Sequence, residues 1–191
     1  IGKPIRRPER TSRLAEFFGI MMGDGGMSQY QATVTLHSRD DFAYSKFVTK
    51  QIKELFDYVP HVAERKAQSA LTIVMSRIEL VRFLNSLGLP IGDKMRNGLS
   101  IPAWIQGRQD FLIPCIRGLV DTDGSVFTHS YLSKGKRYAY KKLSCTSASP
   151  VLLNSMCSIL NGLGLRARMG SNRDVRIDSV SDMERYFSII G

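Results

Sequence analysis

The chain has 191 residues, 43% of them hydrophobic, and carries a formal net charge of +10 at pH 7 with a pI of about 9.8. That length is enough to bury a core, as one domain or two small packed halves, which sets aside a disordered or fibrous chain. Three cysteines without a Cys-x-x-Cys pair argue against a zinc ribbon or redox centre, no apolar run reaches bilayer length, and the basic segment Ile1 to Arg10 lacks an apolar signal region.

A soluble intracellular protein with reduced, buried thiols is therefore expected, cytoplasmic or nucleoid in a bacterium and organellar in a eukaryote. The charge favours a polyanion partner, because a basic face gains affinity by displacing counterions from phosphates. The cations recur in strands and turns, at Arg65, Lys66, Lys134, Lys136, Arg137, Lys141, Lys142, Arg166, Arg168, Arg173 and Arg176, with Tyr131, Tyr138 and Tyr140 among them. That distribution favours a sheet facing nucleic acid.

In chain order, a first helix starts at Thr11 or Ser12 as N-cap and ends before Gly25-Gly26. Residues 31–38 alternate, with Ala32, Val34 and Leu36 apolar and Gln31, Thr33, Thr35 and His37 on the other side, as in a half-buried strand. A helix over 40–57, strands near 60–66 and 70–76, and a helix over 77–87 complete the first half. Pro90, Pro102 and several glycines break up residues 89–109, where Trp104 anchors a linker.

The order then recurs: a helix to Asp123, strands near 125–131 and 138–147, a helix over 149–162, strands near 165–170 and 174–179, and a last helix. With a shift of 103 residues, Arg82 to Gly88 lies over Arg185 to Gly191 and Arg65 over Arg168. The chain thus divides into an N-terminal half at 1–88, a linker at 89–109 and a C-terminal half at 110–191.

Both first helices of these halves end in Asp-Gly, at Asp24-Gly25 and Asp123-Gly124. Gly19 and Gly23 lie one turn apart, and Gly118 and Thr122 repeat that spacing, so small residues allow the two helix backbones to approach closely. If the helices pack about a pseudo-twofold axis, Asp24 and Asp123 meet where the helix dipoles are already negative. Two carboxylates there call for divalent cations, most simply Mg²⁺, which takes few carboxylates plus water and phosphate oxygens. The competing reading of either motif alone is a polar residue ahead of a C-cap glycine.

The stretches Phe17-Phe18-Gly19-Ile20-Met21-Met22-Gly23-Asp24-Gly25 and Ile116-Arg117-Gly118-Leu119-Val120-Asp121-Thr122-Asp123-Gly124 resemble the two motifs of LAGLIDADG homing endonucleases. The linker, with Leu87-Gly88-Leu89 and then Ile101-Pro102-Ala103-Trp104-Ile105, is similar to that of single-chain bacterial members. The first motif departs in having Met22 for the first acid and Gly23 for the alanine, but the last acid is present in both. The resemblance implies an α+β fold of duplicated αββαββα halves, with two four-stranded antiparallel DNA-binding sheets packed on a central helix pair. It also implies a monomer that cuts both strands of a long asymmetric DNA site and serves intron or intein mobility. Asp24 and Asp123 would be catalytic and would bind Mg²⁺, with Mn²⁺ or Ca²⁺ substituting for binding, and the carbonyls of Gly23 and Thr122 would complete the metal contacts. The alternative is an intron RNA maturase or a non-cleaving DNA-binding regulator of the same fold.

Strand parity selects the residues that would face DNA. These are Gln31, Thr33, Thr35 and His37 in the first half, and Tyr138, Tyr140, Lys142, Ser144 and Thr146 in the second. Arg65, Arg166, Arg168 and Arg176 are favoured in the later strands, a solvated surface residue being the competing reading of each. Arg77, His37 and Lys142 are candidates for assisting at a metal-bound water. His37 reads first as a solvated strand residue, then as a phosphate contact, and last as a proton shuttle. A strand of about eight residues spans about 26 Å, or about eight base pairs.

Overall fold

The structure, a computed structural model, describes residues 4–171 and 173–191; Ile1 to Lys3 of the basic N-terminal segment lie outside the described residues. The described residues form six α-helices, one short 3-10 helix and two four-stranded antiparallel sheets, ordered β1-β2-β4-β3 and β5-β6-β8-β7, so the strand order repeats. The α+β layout with two sheets is the one expected from the sequence. The chain divides into two compact units, residues 1–122 and 123–191.

In the first unit α1 (Ser12–Met22) begins where expected, because the Thr11 side chain accepts the Leu14 N–H at 3.2 Å. Its apolar residues Leu14, Phe17, Phe18, Ile20, Met21 and Met22 are all buried, each worth roughly 1.5–3 kcal/mol in water-excluded surface. A three-residue strand β1 (Gly25–Met27) follows at once and pairs with β2 (Ala32–His37), an element too short to register as a period in the sequence. Next come α2 (Phe42–Phe56), β3 (His61–Arg65), β4 (Ala70–Met75) and α3 (Ile78–Ser86). Ala32, Val34 and Leu36 of β2 are buried as alternation requires, against Ile73 and Met75 of β4.

The segment 87–108 is an irregular strap whose Leu89, Leu99, Ile101 and Ile105 are buried. Trp104 fixes it, donating its indole N–H to the Leu87 carbonyl at 3.0 Å and meeting the rings of Phe18 and Phe111 edge-on at 5.2 and 5.6 Å. The helix α4 (Gln109–Asp123) opens the second repeat of the sequence, yet its residues up to Thr122 belong to the first compact unit. Gly19 and Gly118 explain why. A methyl group added at Gly19 would lie 2.1 Å from the Cys115 carbonyl oxygen, and one at Gly118 would lie 2.3 Å from that of Glu16. The α1 and α4 backbones touch at these two glycines.

The second unit holds β5 (Gly124–Ser133), β6 (Lys136–Thr146), α5 (Pro150–Gly162), β7 (Ala167–Met169), β8 (Asp174–Ile177) and α6 (Val180–Ile189). Leu143, Cys145, Val175 and Ile177 are buried on one sheet face, with Leu152, Met156 and Leu160 of α5 and Met183 and Tyr186 of α6 also buried. β5 and β6 run longer than their periodicity predicts. Lys134 and Gly135 both take positive φ, 48° and 75°, giving the two-residue turn whose twist suits a hairpin. β8 pairs with β6 only over Leu143 to Thr146, so the rest of the β5–β6 hairpin extends as a two-stranded ribbon.

Candidate functional site

Asp24 follows Gly23, the C-cap of α1, and Asp123 is the last residue of α4; both are half-buried. Each therefore stands beside unsatisfied helix carbonyls at a negative helix end. In the first unit one cation already answers that field: Lys94 of the strap donates from Nζ to the carbonyls of Gly23 at 2.5 Å and Met22 at 3.1 Å. The Gly23 carbonyl, expected from the resemblance to meet a metal, carries an ammonium group. The Tyr44 hydroxyl lies among the nearby acids. It is buried without a hydrogen-bond partner among the described residues, and its pKa is raised first by burial, then by the charges of Asp121, Glu16, Asp24 and Asp41.

Around this point Glu16 accepts from Arg117 at 3.2 Å and from the Gln51 amide at 3.2 Å. Asp121, in the position where the first motif has Met22, is held above the usual carboxylate range, by desolvation first and by Glu16 second, against the opposing charge of Arg117. In the second unit the Thr146 hydroxyl lies 3.5 Å from the Asp123 carbonyl. Burial, with a smaller contribution from Asp123, pushes the Cys145 thiol up to about 12, and burial alone does the same to Cys115. Neither thiol is a nucleophile at neutral pH. Thr122 turns its hydroxyl back to the carbonyls of Gly118 and Leu119, both at 3.0 Å.

The pairing register brings the expected DNA-facing residues onto common faces. On the first sheet Thr33 lies opposite Val74 and Gly26, Thr35 opposite Thr72, and His37 opposite Ala70, which is itself opposite Arg65. Gln31 lies in the turn before β2, where its N–H bonds the Ser28 hydroxyl at 3.2 Å. His37 is tied into the strand end: its Nδ1 accepts the Asp40 N–H at 3.2 Å, and its own N–H meets Asp41 at 2.8 Å. Arg77 is the N-cap residue of α3 and lays its guanidinium over the Tyr58 ring at 4.7 Å.

On the second sheet Tyr138, Tyr140, Lys142, Ser144 and Thr146 share the face opposite buried Leu143 and Cys145. Here carboxylates hold the cations. Lys142 and Arg168 both reach Asp178, Arg176 pairs with Asp174, and Arg166 bonds Asp182 at 2.8 Å, along with Ser179 and Ser181 in the first turn of α6. Burial pushes the Asp178 carboxyl up, but the hydrogen bonds from Lys142 and Arg168 outweigh it and hold the group below its usual range. Lys94 and these acid partners are absent from the sequence-based set. An isolated lysine in an irregular strap and an acid many residues from its cation leave no periodic signal.

No family model and no curated protein matches the sequence. Solved structures match over nearly its whole length. The N-terminal LAGLIDADG domain of WhiA aligns at 17% identity over 94% of this chain and 81% of that one, with a TM-score of 0.61. The I-LtrWI LAGLIDADG homing endonuclease, bound to target DNA, aligns at 13% identity over 93% and 83%, with a TM-score of 0.59. I-DmoI, in complex with DNA and Ca, aligns at 18% identity over 94% and 88%, also at 0.59. At such identities the likeness establishes the fold, and the chain has the LAGLIDADG fold.

Proposed function

We propose that this chain of LAGLIDADG fold is a site-specific, divalent-metal-dependent DNA endonuclease that acts as a monomer on a long asymmetric duplex and serves the mobility of the element encoding it. The observation that carries this reading is the close glycine-mediated contact of α1 and α4, two helices that each lead into one aspartate, on a chain whose sheets turn polar faces outward. Support also comes from solved structures of the same fold bound to target DNA, one of them with Ca.

The donor set fits hard divalent ions. Asp24 and Asp123 offer carboxylate oxygens and Gly23 and Thr122 offer carbonyls, the ligand types that suit Mg²⁺, Mn²⁺ and Ca²⁺. Lys94, which donates to the Gly23 carbonyl, already supplies positive charge at this helix end. When bound, the metal would supply activation of a water and charge stabilisation on the phosphodiester. The protein's part is to present Asp24 and Asp123 from helix ends and to bind the duplex along the sheet faces. Lys94 keeps positive charge beside the Gly23 carbonyl, and for that carbonyl to meet a metal the ammonium group must withdraw.

Double-strand cutting in Mg²⁺ of a duplex selected for binding from a random pool tests the reading. Asp24→Asn and Asp123→Asn should each lower cutting by about 100-fold or more and leave binding in place. Intact DNA under saturating binding in Mg²⁺ overturns it. That outcome supports the second reading, a DNA-binding protein that does not cut, which the ammonium group on the Gly23 carbonyl favours.

A further inference from the structure

One polar atom in the first unit is enclosed and uncommitted. The Tyr44 hydroxyl oxygen is shut off from solvent and has no hydrogen-bond partner among the described residues. An enclosed donor in that condition costs stability, and native chains keep few of them. The ring itself is well placed, stacked on Phe47 with centroids 5.7 Å apart. Packing does not call for the hydroxyl. Helices α2 and α5 occupy the same place in the two repeats, and counted from their N-cap residues Asp41 and Ser149 the position of Tyr44 holds Leu152 in the second unit, buried and apolar.

The helix register puts this hydroxyl at the aspartate end of α1. Helices α1 and α2 run antiparallel: Arg13 meets Glu54 at 2.5 Å, and the Gln51 amide meets Glu16 at 3.2 Å. Both contacts set the same register. Seven residues back along α2 from Gln51, about two turns, stands Tyr44, and seven residues on along α1 from Glu16 stands Gly23, directly before Asp24. The charges felt by the phenol agree. After burial, the largest cause, Asp121, Glu16, Asp24 and Asp41 all raise its pKa, so the group stays protonated at neutral pH and available as a donor.

We propose that Tyr44 is a positioning residue for the metal site, its O–H donating to one oxygen of the Asp24 carboxylate while the other oxygen holds a divalent cation. The inference rests on the metal-binding part of the reading above. A ligating carboxylate is steadied by an outer hydrogen bond of this kind, and removing one typically weakens metal binding about 10- to 100-fold. In the arrangement seen here Lys94 still lies on the Gly23 carbonyl, so the end of α1 has yet to rearrange around a metal. The hydroxyl is therefore held in reserve, at a cost to stability, for the arrangement in which Asp24 turns toward it.

The rival role is an ordinary packing tyrosine, and Tyr44→Phe separates the two because it keeps the ring and removes only the hydroxyl. Two measurements are made on the wild type and the variant: thermal melting without divalent cations, and calorimetric titration of Ca²⁺ into the complex with the consensus duplex that the wild type selects from a random pool. We expect the variant to melt at the same temperature or higher, since an unsatisfied buried donor is gone. Its Ca²⁺ affinity should fall about 10-fold or more. Loss of metal affinity without loss of stability is a result that packing alone does not produce. Full Ca²⁺ affinity in Tyr44→Phe overturns this inference alone, and so does a lower melting temperature, which would mean that the hydroxyl already has a partner. A wild-type complex that takes up no Ca²⁺ overturns both this inference and the metal-dependent reading.

Discussion

On the first sheet, the outward positions beside α1's end are Thr33 and Thr35, flanked across the ladder by Val74 and Thr72, with the only guanidinium, Arg65, at the far strand end. On the second, the positions in the same register are Ser144 and Thr146, flanked by Arg176 and Asp174 with Arg168 beyond Arg176, and the longer hairpin adds Lys142, Tyr140 and Tyr138, which have no counterpart in the first sheet's strands. The strand order is the same in both. This scaffold fixes where a residue points but not what it offers: hydroxyls and methyls with little selectivity on one face, aromatic edges and cations added on the other. The second face is also less basic than its sequence reads, because Asp178, Asp174 and Asp182 engage four of its cations.

Gly19→Ala or Gly118→Ala would disrupt the contact between α1 and α4. Each methyl would enter the other helix's backbone, so we expect losses of about 3 kcal/mol or more, seen as a lower midpoint in denaturant unfolding. Asp178→Asn acts on the basic face of the second sheet. Lys142 and Arg168 are released toward phosphates, and the slope of log affinity against log salt should steepen by up to about 2.

The same variant has a pH signature. Because the folded-state carboxyl of Asp178 lies below its unfolded value, its contribution to stability is present above the unfolded pKa and disappears as pH falls through the folded one. The wild type should therefore melt higher than Asp178→Asn at pH 7, with the two converging in strong acid. Thr33→Val with Thr35→Val tests the plainer face, and we expect less than about fivefold change in affinity for the wild-type consensus duplex, measured by titration.

The smallest effect concerns Asp121, whose raised carboxyl has the opposite sign: its ionisation opposes folding as pH rises through the folded-state value. Asp121→Asn should raise the melting temperature slightly at pH 7 and leave it unchanged well below the ordinary carboxylate range.

Local signals made much of this legible from sequence. The capping hydroxyl of Thr11, the alternation of β2 and the glycines of α1 and α4 act within a few residues or through a repeated spacing, and each lies where that spacing puts it. What could not be read is what depends on distant partners. Lys94 reaches back 71 residues to Gly23, and Asp178 gathers Lys142 and Arg168 from two other strands. The ribbon's length is also hidden, because β5 is exposed along most of its length, Val126 and Leu132 included, and shows no steady alternation. Gln31, counted with β2 by parity, belongs to the turn because Ser28 binds its backbone.

The glycine contact between α1 and α4 has a consequence for anyone exchanging parts between proteins of this fold. The repeat in the sequence begins anew at about residue 110, but the Cys115 carbonyl packs on Gly19, so α4 travels with the helix it touches and not with the strands it precedes. A hybrid joined within the linker would ask two unrelated backbones to mesh with no side chain between them. A hybrid joined between Thr122 and Asp123 keeps that mesh native and hands over the ribbon, its tyrosines and the second aspartate as a single cassette.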